Sequence, residues 1–282
     1  MTRRPLILIS FLVAGCGGAG ELKPLLQDMA NGGGNPGNST DLAMPSSPTD
    51  MTTPPPIWTG VVYAHSPSEL FQVDPNTLKV MRVAPFGWPS GSDQMTDIAI
   101  DKNGNMIGIS FTTIYSVDPM TARCKRIAAF NGGDFNGLSF VPPPSVDPNA
   151  DEILVGAAIS GSVYKVDPQT GKQTLLGSYG QGMGSSGDIV AVEGAAFATV
   201  TWSTPDDWLV KVDTQTGKAT PIGRTGFTHI WGLGYWKQQV FGFNDQGQFL
   251  LISTGSGKGR LADKSSIEWW GAGVTTIAPV IQ

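Results

Sequence analysis

The chain has 282 residues, 40% of them hydrophobic and 15% charged, with a formal net charge of -5. The 37 Gly and 21 Pro residues argue against coiled coils and helical bundles and suit many short strands joined by turns. An acidic balance argues against a nucleic-acid partner, because phosphate neutralisation needs a basic face, and two cysteines cannot form a disulfide framework or a cysteine-rich zinc site.

Residues 1–16 read as a secretory signal. Arg3 and Arg4 form a positive start, and Leu6 to Ala14 is a nine-residue apolar run, well short of the ~20 residues that span a bilayer. The run ends in Val13-Ala14-Gly15-Cys16, which resembles the lipobox of bacterial lipoproteins: an apolar residue, two small residues, then cysteine. The resemblance implies that Cys16 becomes the N-terminal residue after cleavage and carries the acyl chains, palmitate among them, that hold the protein to the cell envelope. In that family Asp just after the cysteine signals inner-membrane retention. Gly17 stands there in this chain, so the outer membrane is the expected destination. An ordinary signal peptide with an incidental cysteine is the alternative. Cleavage would remove two basic residues and leave a mature charge of about -7. One acyl chain anchors only marginally, whereas two or three would make attachment effectively permanent.

Residues 17–57 carry almost no periodic hydrophobicity. Within Asn31–Pro56, 22 of 26 residues are Gly, Asn, Pro, Ser, Thr or Asp. Such a stretch cannot bury enough apolar surface to offset its ordering entropy, so a disordered tether is expected. A flexible coil of this length spans roughly 35 Å on average.

The remaining residues, 58–282, contain a repeat. It reads Leu70-Phe-Gln-Val-Asp-Pro-Asn-Thr77, Ile114-Tyr-Ser-Val-Asp-Pro-Met-Thr121, Val163-Tyr-Lys-Val-Asp-Pro-Gln-Thr-Gly-Lys172 and Leu209-Val-Lys-Val-Asp-Thr-Gln-Thr-Gly-Lys218, with a degenerate fifth copy at Phe249-Leu-Leu-Ile-Ser-Thr-Gly-Ser-Gly-Lys258. The equivalent positions Asp74, Asp118, Asp167, Asp213 and Ser253 are 44, 49, 46 and 40 residues apart, the period of a four-stranded propeller blade. In the first unit the strand-like runs are Val61–Ser66, Leu70–Val73, Leu78–Val83 and Met95–Ile100. The runs matching the last of these are Phe135–Phe140, Asp188–Val192 and Ile230–Trp236. The 225 residues divide into five units of 45; a sixth blade has no sequence to form it. An all-β, five-bladed β-propeller is therefore expected. Its C-terminal run, Ile267–Thr276, should complete the blade that the N-terminal run begins, which removes a free sheet edge.

The repeated Asp-Pro-x-Thr-Gly reads as a hairpin turn. Asp accepts backbone N–H groups, Pro presets φ, and Gly supplies a positive φ. Asp101–Asn105 reads as another hairpin turn, without the bidentate Glu of a calcium loop. The repeats resemble those of bacterial cell-surface β-propellers, the broad YVTN/NHL/quinoprotein-like group. The resemblance covers residues 58–282 and implies the fold. That group contains scaffolds, binders, lactonases and dehydrogenases, so it does not imply one function.

No catalytic motif stands out. His65 and His229 form no HExxH, no GxSxG elbow is present, and Gly255–Gly259 lacks the first Gly and the Ser/Thr of a P-loop. Cys124 reads as a small core or surface residue, and no metal or cofactor is indicated. Aligning the five innermost strands gives a ring of Thr96, Asn136, Gly187, Trp231 and Trp270, then one of Asp97, Gly137, Asp188, Gly232 and Gly271. Trp88, Phe135, His229, Trp269 and Glu268 lie nearby in sequence. Three readings stay open for this constellation. The tryptophans could be core between blades. Trp231, Trp270, Trp269, His229, Asn136, Asp97 and Asp188 could line a pit for a glycan or small polar ligand, by apolar stacking with a few placed hydrogen bonds. Or Asp97, Asp188 and Glu268 could be catalytic carboxylates of a glycosidase or lactonase type. The expected protein is thus a monomeric, membrane-anchored binding or scaffold module whose partners are the membrane, through Cys16, and a glycan or protein ligand.

Overall fold

The structure is a computed structural model that describes residues 62–132, 134–142, 151–192 and 194–279. The signal and lipobox through Cys16, the tether at 17–57 and Val61 lie outside the described residues.

Five four-stranded antiparallel sheets make up the domain. The first contains Val62–His65 (β1), Glu69–Val73 (β2) and Val80–Pro85 (β3), with Gly271–Val274 (β20) on its inner side. The second is Asp97–Ile100 (β4), Met106–Ile109 (β5), Thr113–Val117 (β6) and Cys124–Ala129 (β7). The third is Phe135–Val141 (β8), Ile153–Ala158 (β9), Ser162–Val166 (β10) and Gln173–Ser178 (β11). The fourth is Gly184–Val192 (β12), Ala195–Thr201 (β13), Trp208–Val212 (β14) and Ala219–Arg224 (β15). The fifth is Ile230–Trp236 (β16), Gln239–Asn244 (β17), Gln248–Ser253 (β18) and Gly259–Lys264 (β19). The inner strands pack in the cycle β4, β8, β12, β16, β20 and back to β4. This is the expected five-bladed β-propeller. Closure also occurs where expected: β20 pairs antiparallel with β1, from Val62 opposite Val274 to His65 opposite Gly271.

The repeated turn joins the two outer strands of each blade. Asp74, Asp118, Asp167 and Asp213 each accept, on Oδ1, the backbone N–H groups two and three residues on, at 2.8 to 3.3 Å. At Asp74 the Thr77 side chain, ahead of these backbone bonds, and at the other three these bonds together with the equivalent threonine side chains hold all four carboxyls below their ordinary range. The turn's last residue adopts a left-handed φ of 70°, 71° and 73° at Gly171, Gly217 and Gly257, and of 60° and 55° at Leu78 and Ala122. The first two blades therefore hold the conformation without the glycine that favours it. Asp101 caps its own hairpin by accepting from the N–H groups of Asn103 and Asn105, both at 2.8 Å.

Strands one to three of each blade carry the core, and the outermost strands are largely exposed. Trp269 is almost fully buried, with its ring edge-on to Phe71 at 5.1 Å and to Phe243 at 5.4 Å. Cys124 is buried beside Met106 and Tyr115 in the second blade's core. Burial pushes its thiol up to about 12, so it stays un-ionised at neutral pH and is a poor nucleophile.

The inner strands meet almost backbone to backbone. A Cβ at Gly187 would lie 2.0 Å from the Ile230 carbonyl oxygen, and one at Gly232 would lie 2.6 Å from the Gly271 carbonyl carbon. Only glycine permits that approach, and it narrows the axis where the aligned rings suggested a pit.

Candidate functional site

At the axis lie Asp97 from β4 and Asp188 from β12, both with no exposed surface. Their carboxyls interact with each other across the ring. Asp188 is the better satisfied. Its Oδ1 accepts from the N–H of Ile189 at 2.6 Å and of Leu138 at 3.4 Å, and its Oδ2 from the N–H of Leu233 at 2.8 Å. One carboxylate thus ties β12 to both neighbouring inner strands, β8 and β16. Asp97 Oδ1 accepts from the Ile98 N–H at 2.8 Å, while Oδ2 meets no N–H or hydroxyl donor. Burial raises both carboxyls well above the usual range, and for Asp97 the charge of Asp188 adds to it. Two carboxylates cannot both stay ionised in so dry a place, so the pair retains a proton.

A third buried group arrives from the second strand of the closing blade. His65 has no exposed surface, and its Nε2 lies 3.9 Å from Asp97 Oδ1. Gly271, opposite His65 on β20, makes this possible: a Cβ there would sit 2.3 Å from His65 Nε2 and 2.5 Å from Asp97 Oδ1. His65 Nδ1 lies 2.9 Å from the Ser66 carbonyl oxygen, which only accepts, so Nδ1 carries the proton. Burial lowers the ring to about 4 despite that bond, and it is neutral above that pH.

Above this closed hub the N-terminal ends of the inner strands form a mouth, ringed by the loops between each blade's second and third strands. Trp231 and Trp270 are half-buried here. The Trp231 ring stands 5.9 Å from that of His229. His229 holds a left-handed φ of 54° and bonds Asp245 Oδ2 through Nδ1 at 2.9 Å. Trp270 Nε1 donates to Glu268 Oε1 at 3.1 Å, and its ring is edge-on to exposed Phe111 at 6.4 Å. The Trp270 N–H donates to the His65 carbonyl at 2.8 Å, which fixes the tryptophan's backbone to the hub. Asn136 is buried and donates to the Ser185 carbonyl at 3.1 Å, while its Oδ1 has no partner. Thr96 Oγ1 donates to the Ile109 carbonyl at 3.0 Å.

The aligned residues therefore separate. Trp231, Trp270, His229 and Glu268 gather at the mouth. Asp97 and Asp188 lie beneath it in the hub, and Trp269 lies in the core between blades. Trp88 packs on Phe86 and Tyr115 in the second blade's sector. Of the three acidic candidates, only Glu268 is exposed.

Two residues that the sequence did not single out matter here. One is His65. The other is Asp207, which is buried and accepts from the Ile230 N–H at 2.8 Å and from the Ser186 hydroxyl. It holds the residue before Trp231, and burial raises its carboxyl. Asp207 stands outside the repeat, in a loop, and nothing periodic marks it.

No family model matches the chain, and no curated protein matches it. Among solved structures it is similar to the computationally designed Ika8 protein, at 13% identity and a TM-score of 0.37 over 76% of this chain and 61% of that one. It is also similar to a protein of unknown function from Bacteroides caccae, at 9% identity and a TM-score of 0.40 over 73% of each chain. A third is TolB from Acinetobacter baumannii, at 15% identity and a TM-score of 0.43 over 76% of this chain and 66% of that one. The chain thus spans about three fifths to three quarters of the length of these structures.

Proposed function

We propose that the protein is an envelope lipoprotein, anchored through Cys16 and directed to the outer membrane, whose propeller is a binding module for a glycan or another small polar ligand. The observation that carries this reading is the mouth. Trp231 and Trp270 stand half-exposed at the start of inner strands whose backbones are pinned by Asp207, Asp188 and His65. Aromatic faces on fixed backbone, with Glu268, His229 and Asp245 as hydrogen-bonding groups beside them, suit a ring that stacks and also donates. The hydrolase alternative requires carboxylates that touch substrate, and Asp97 and Asp188 have no exposed surface.

The test is a glycan panel against the full chain in detergent. Trp231→Ala and Trp270→Ala are expected to lose binding about tenfold, in keeping with aromatic contacts of ~0.5–1.5 kcal/mol beyond area burial, with little change in Tm. A large fall in Tm with no ligand retained on any panel would reject the mouth as a binding site. The anchor is tested separately: Cys16→Ser should abolish membrane partitioning, and a variant that still fractionates wholly with membranes would reject lipidation.

A further inference from the structure

A second recess opens on the outer side of the β9–β10 loop, one of the loops that ring the mouth. It is a cleft of about 500 Å³ between the loop that enters the third blade and that blade's own outer loop. Phe135 and Tyr164 wall it, with ring centroids 5.4 Å apart, and Ile159, 56% exposed, overhangs it. Its polar groups are Asn131, Asp134, Ser160 and Gln173. No Lys, Arg or His lines it.

The polar groups of this cleft are two amides, a hydroxyl and one carboxylate. Gln173 Nε2 donates to the Asn131 carbonyl at 2.8 Å, which orients the amide so that it offers its acceptor oxygen beside the second N–H. Ser160 Oγ donates to Ser162 Oγ at 3.0 Å. Asp134 is exposed at the rim and only accepts when ionised. The cleft thus offers the Asp134 carboxylate, the Gln173 amide oxygen and two aromatic faces to a ligand that donates.

Among the described residues, Asp134 is the one charged residue that lines the cleft. Arg82 bonds Glu69 at 2.6 Å and Arg224 bonds Asp206 at 2.7 Å, while Arg126 holds on β7 the register position that Arg82 holds on β3. Lys264 lies two blades away, at the end of β19. Of the five basic residues that follow the repeated turns, Lys172 precedes Gln173 at the outer edge of the cleft, and Lys79, Arg123, Lys218 and Lys258 belong to other blades.

We propose that this cleft binds a small primary amine on a ring or apolar body, with the ammonium at Asp134 and the Gln173 carbonyl oxygen and the body against Tyr164, Phe135 and Ile159. An ammonium near aromatic faces and a carboxylate gains from both. This site is separate from the mouth, and its occupancy does not depend on the mouth binding anything.

The experiment compares benzylamine with benzyl alcohol, which share a ring and differ in charge, by NMR titration of the full chain in detergent at neutral pH and low salt. Benzylamine is expected to bind about tenfold tighter, within the range of a rim carboxylate plus a cation–π contact. Asp134→Asn should bring it down to the level of the alcohol, and Tyr164→Ala should weaken both. Asp134 uses its backbone carbonyl, not its side chain, to hold Ile159, so the Asn variant should fold normally and Tm checks that it does. Equal affinity for the two probes, no binding of benzylamine, or a charge preference that survives Asp134→Asn would each overturn the inference. Sugar binding at the mouth is read with Trp231→Ala and stands or falls independently.

Discussion

Deleting Ile267–Gln282 is expected to abolish cooperative folding of the propeller. The deletion removes β20, the partner of β1 along its whole length from Val62 to His65, and so leaves an open sheet edge. It also removes Trp269, which fills the core between Phe71 and Phe243; truncation of a buried aromatic alone costs about 3–5 kcal/mol. Gly271 goes too, and with it the contact of β20 to both β16 and β4 that completes the inner cycle. Set against a total stability of about 5–15 kcal/mol, these losses leave no margin. The full-length chain should melt in one cooperative step by circular dichroism, and the truncated chain should aggregate or show no transition. An unchanged melt in the truncated chain would mean that the ring does not depend on this closure.

The hub gives the second large effect, and it distinguishes two aspartates that look alike in sequence. Asp188→Asn replaces an acceptor oxygen by an NH₂ that cannot satisfy the N–H groups converging on it from Leu138, Ile189 and Leu233. At least one buried N–H loses its partner, and the expected cost is about 3 kcal/mol. Asp97→Asn can keep the oxygen that accepts from Ile98 and place its NH₂ toward the side of Oδ2, which meets no donor, where it can donate to Asp188. This change supplies permanently the hydrogen that the native pair must retain as a proton.

The pH dependence follows from the directions. Both carboxyls are raised in the folded state, so their contribution is complete below the unfolded carboxylate range near 3.9 and is lost as pH rises through the folded values. His65 is lowered to about 4, so its contribution is complete above about 6.5 and is lost as pH falls from there through 4. The native protein should therefore lose stability toward alkaline pH through the aspartates and toward acid through His65. Asp97→Asn should flatten the alkaline side and raise Tm at pH 8. A gain of about 1 kcal/mol would be worth about 2–4 °C in a domain of this size. Equal destabilisation by Asp97→Asn and Asp188→Asn, or an unaltered alkaline slope in Asp97→Asn, would show that the pair does not share a proton.

Much of the architecture could be read from local chemistry. The turn formed by Asp74, Asp118, Asp167 and Asp213 is made by side chains bonding their own backbone a few residues on, so the residues that define it are adjacent in the chain and recur with the blade. Counting those four turns together with the degenerate fifth at Ser253 yields the number of blades. The missing inner strand of the first blade and the unpaired strand at the C-terminus yield the closure between β20 and β1. The alignment of the inner strands likewise brought Asp97, Asp188, Trp231 and Trp270 to one end of the barrel.

What that alignment left open is which of these residues meets solvent. Trp269 and Trp270 are neighbours in the chain, but successive side chains point to opposite sides of an extended segment: one fills the core and the other stands at the mouth. Asp97 and Asp188 align with glycines in the other three blades, and the absence of Cβ atoms at Gly232 and Gly271 lets backbones close to within van der Waals contact, which seals the aspartates beneath the surface. His65 joins them from a different strand, through the gap that Gly271 leaves. A repeat records what each blade does with its own residues and so determines the turns, the strands and their number. The width of the axis, and with it the burial, protonation and partners of the groups that meet there, depends on five backbones converging from far apart in the chain, and only the tertiary structure decides it.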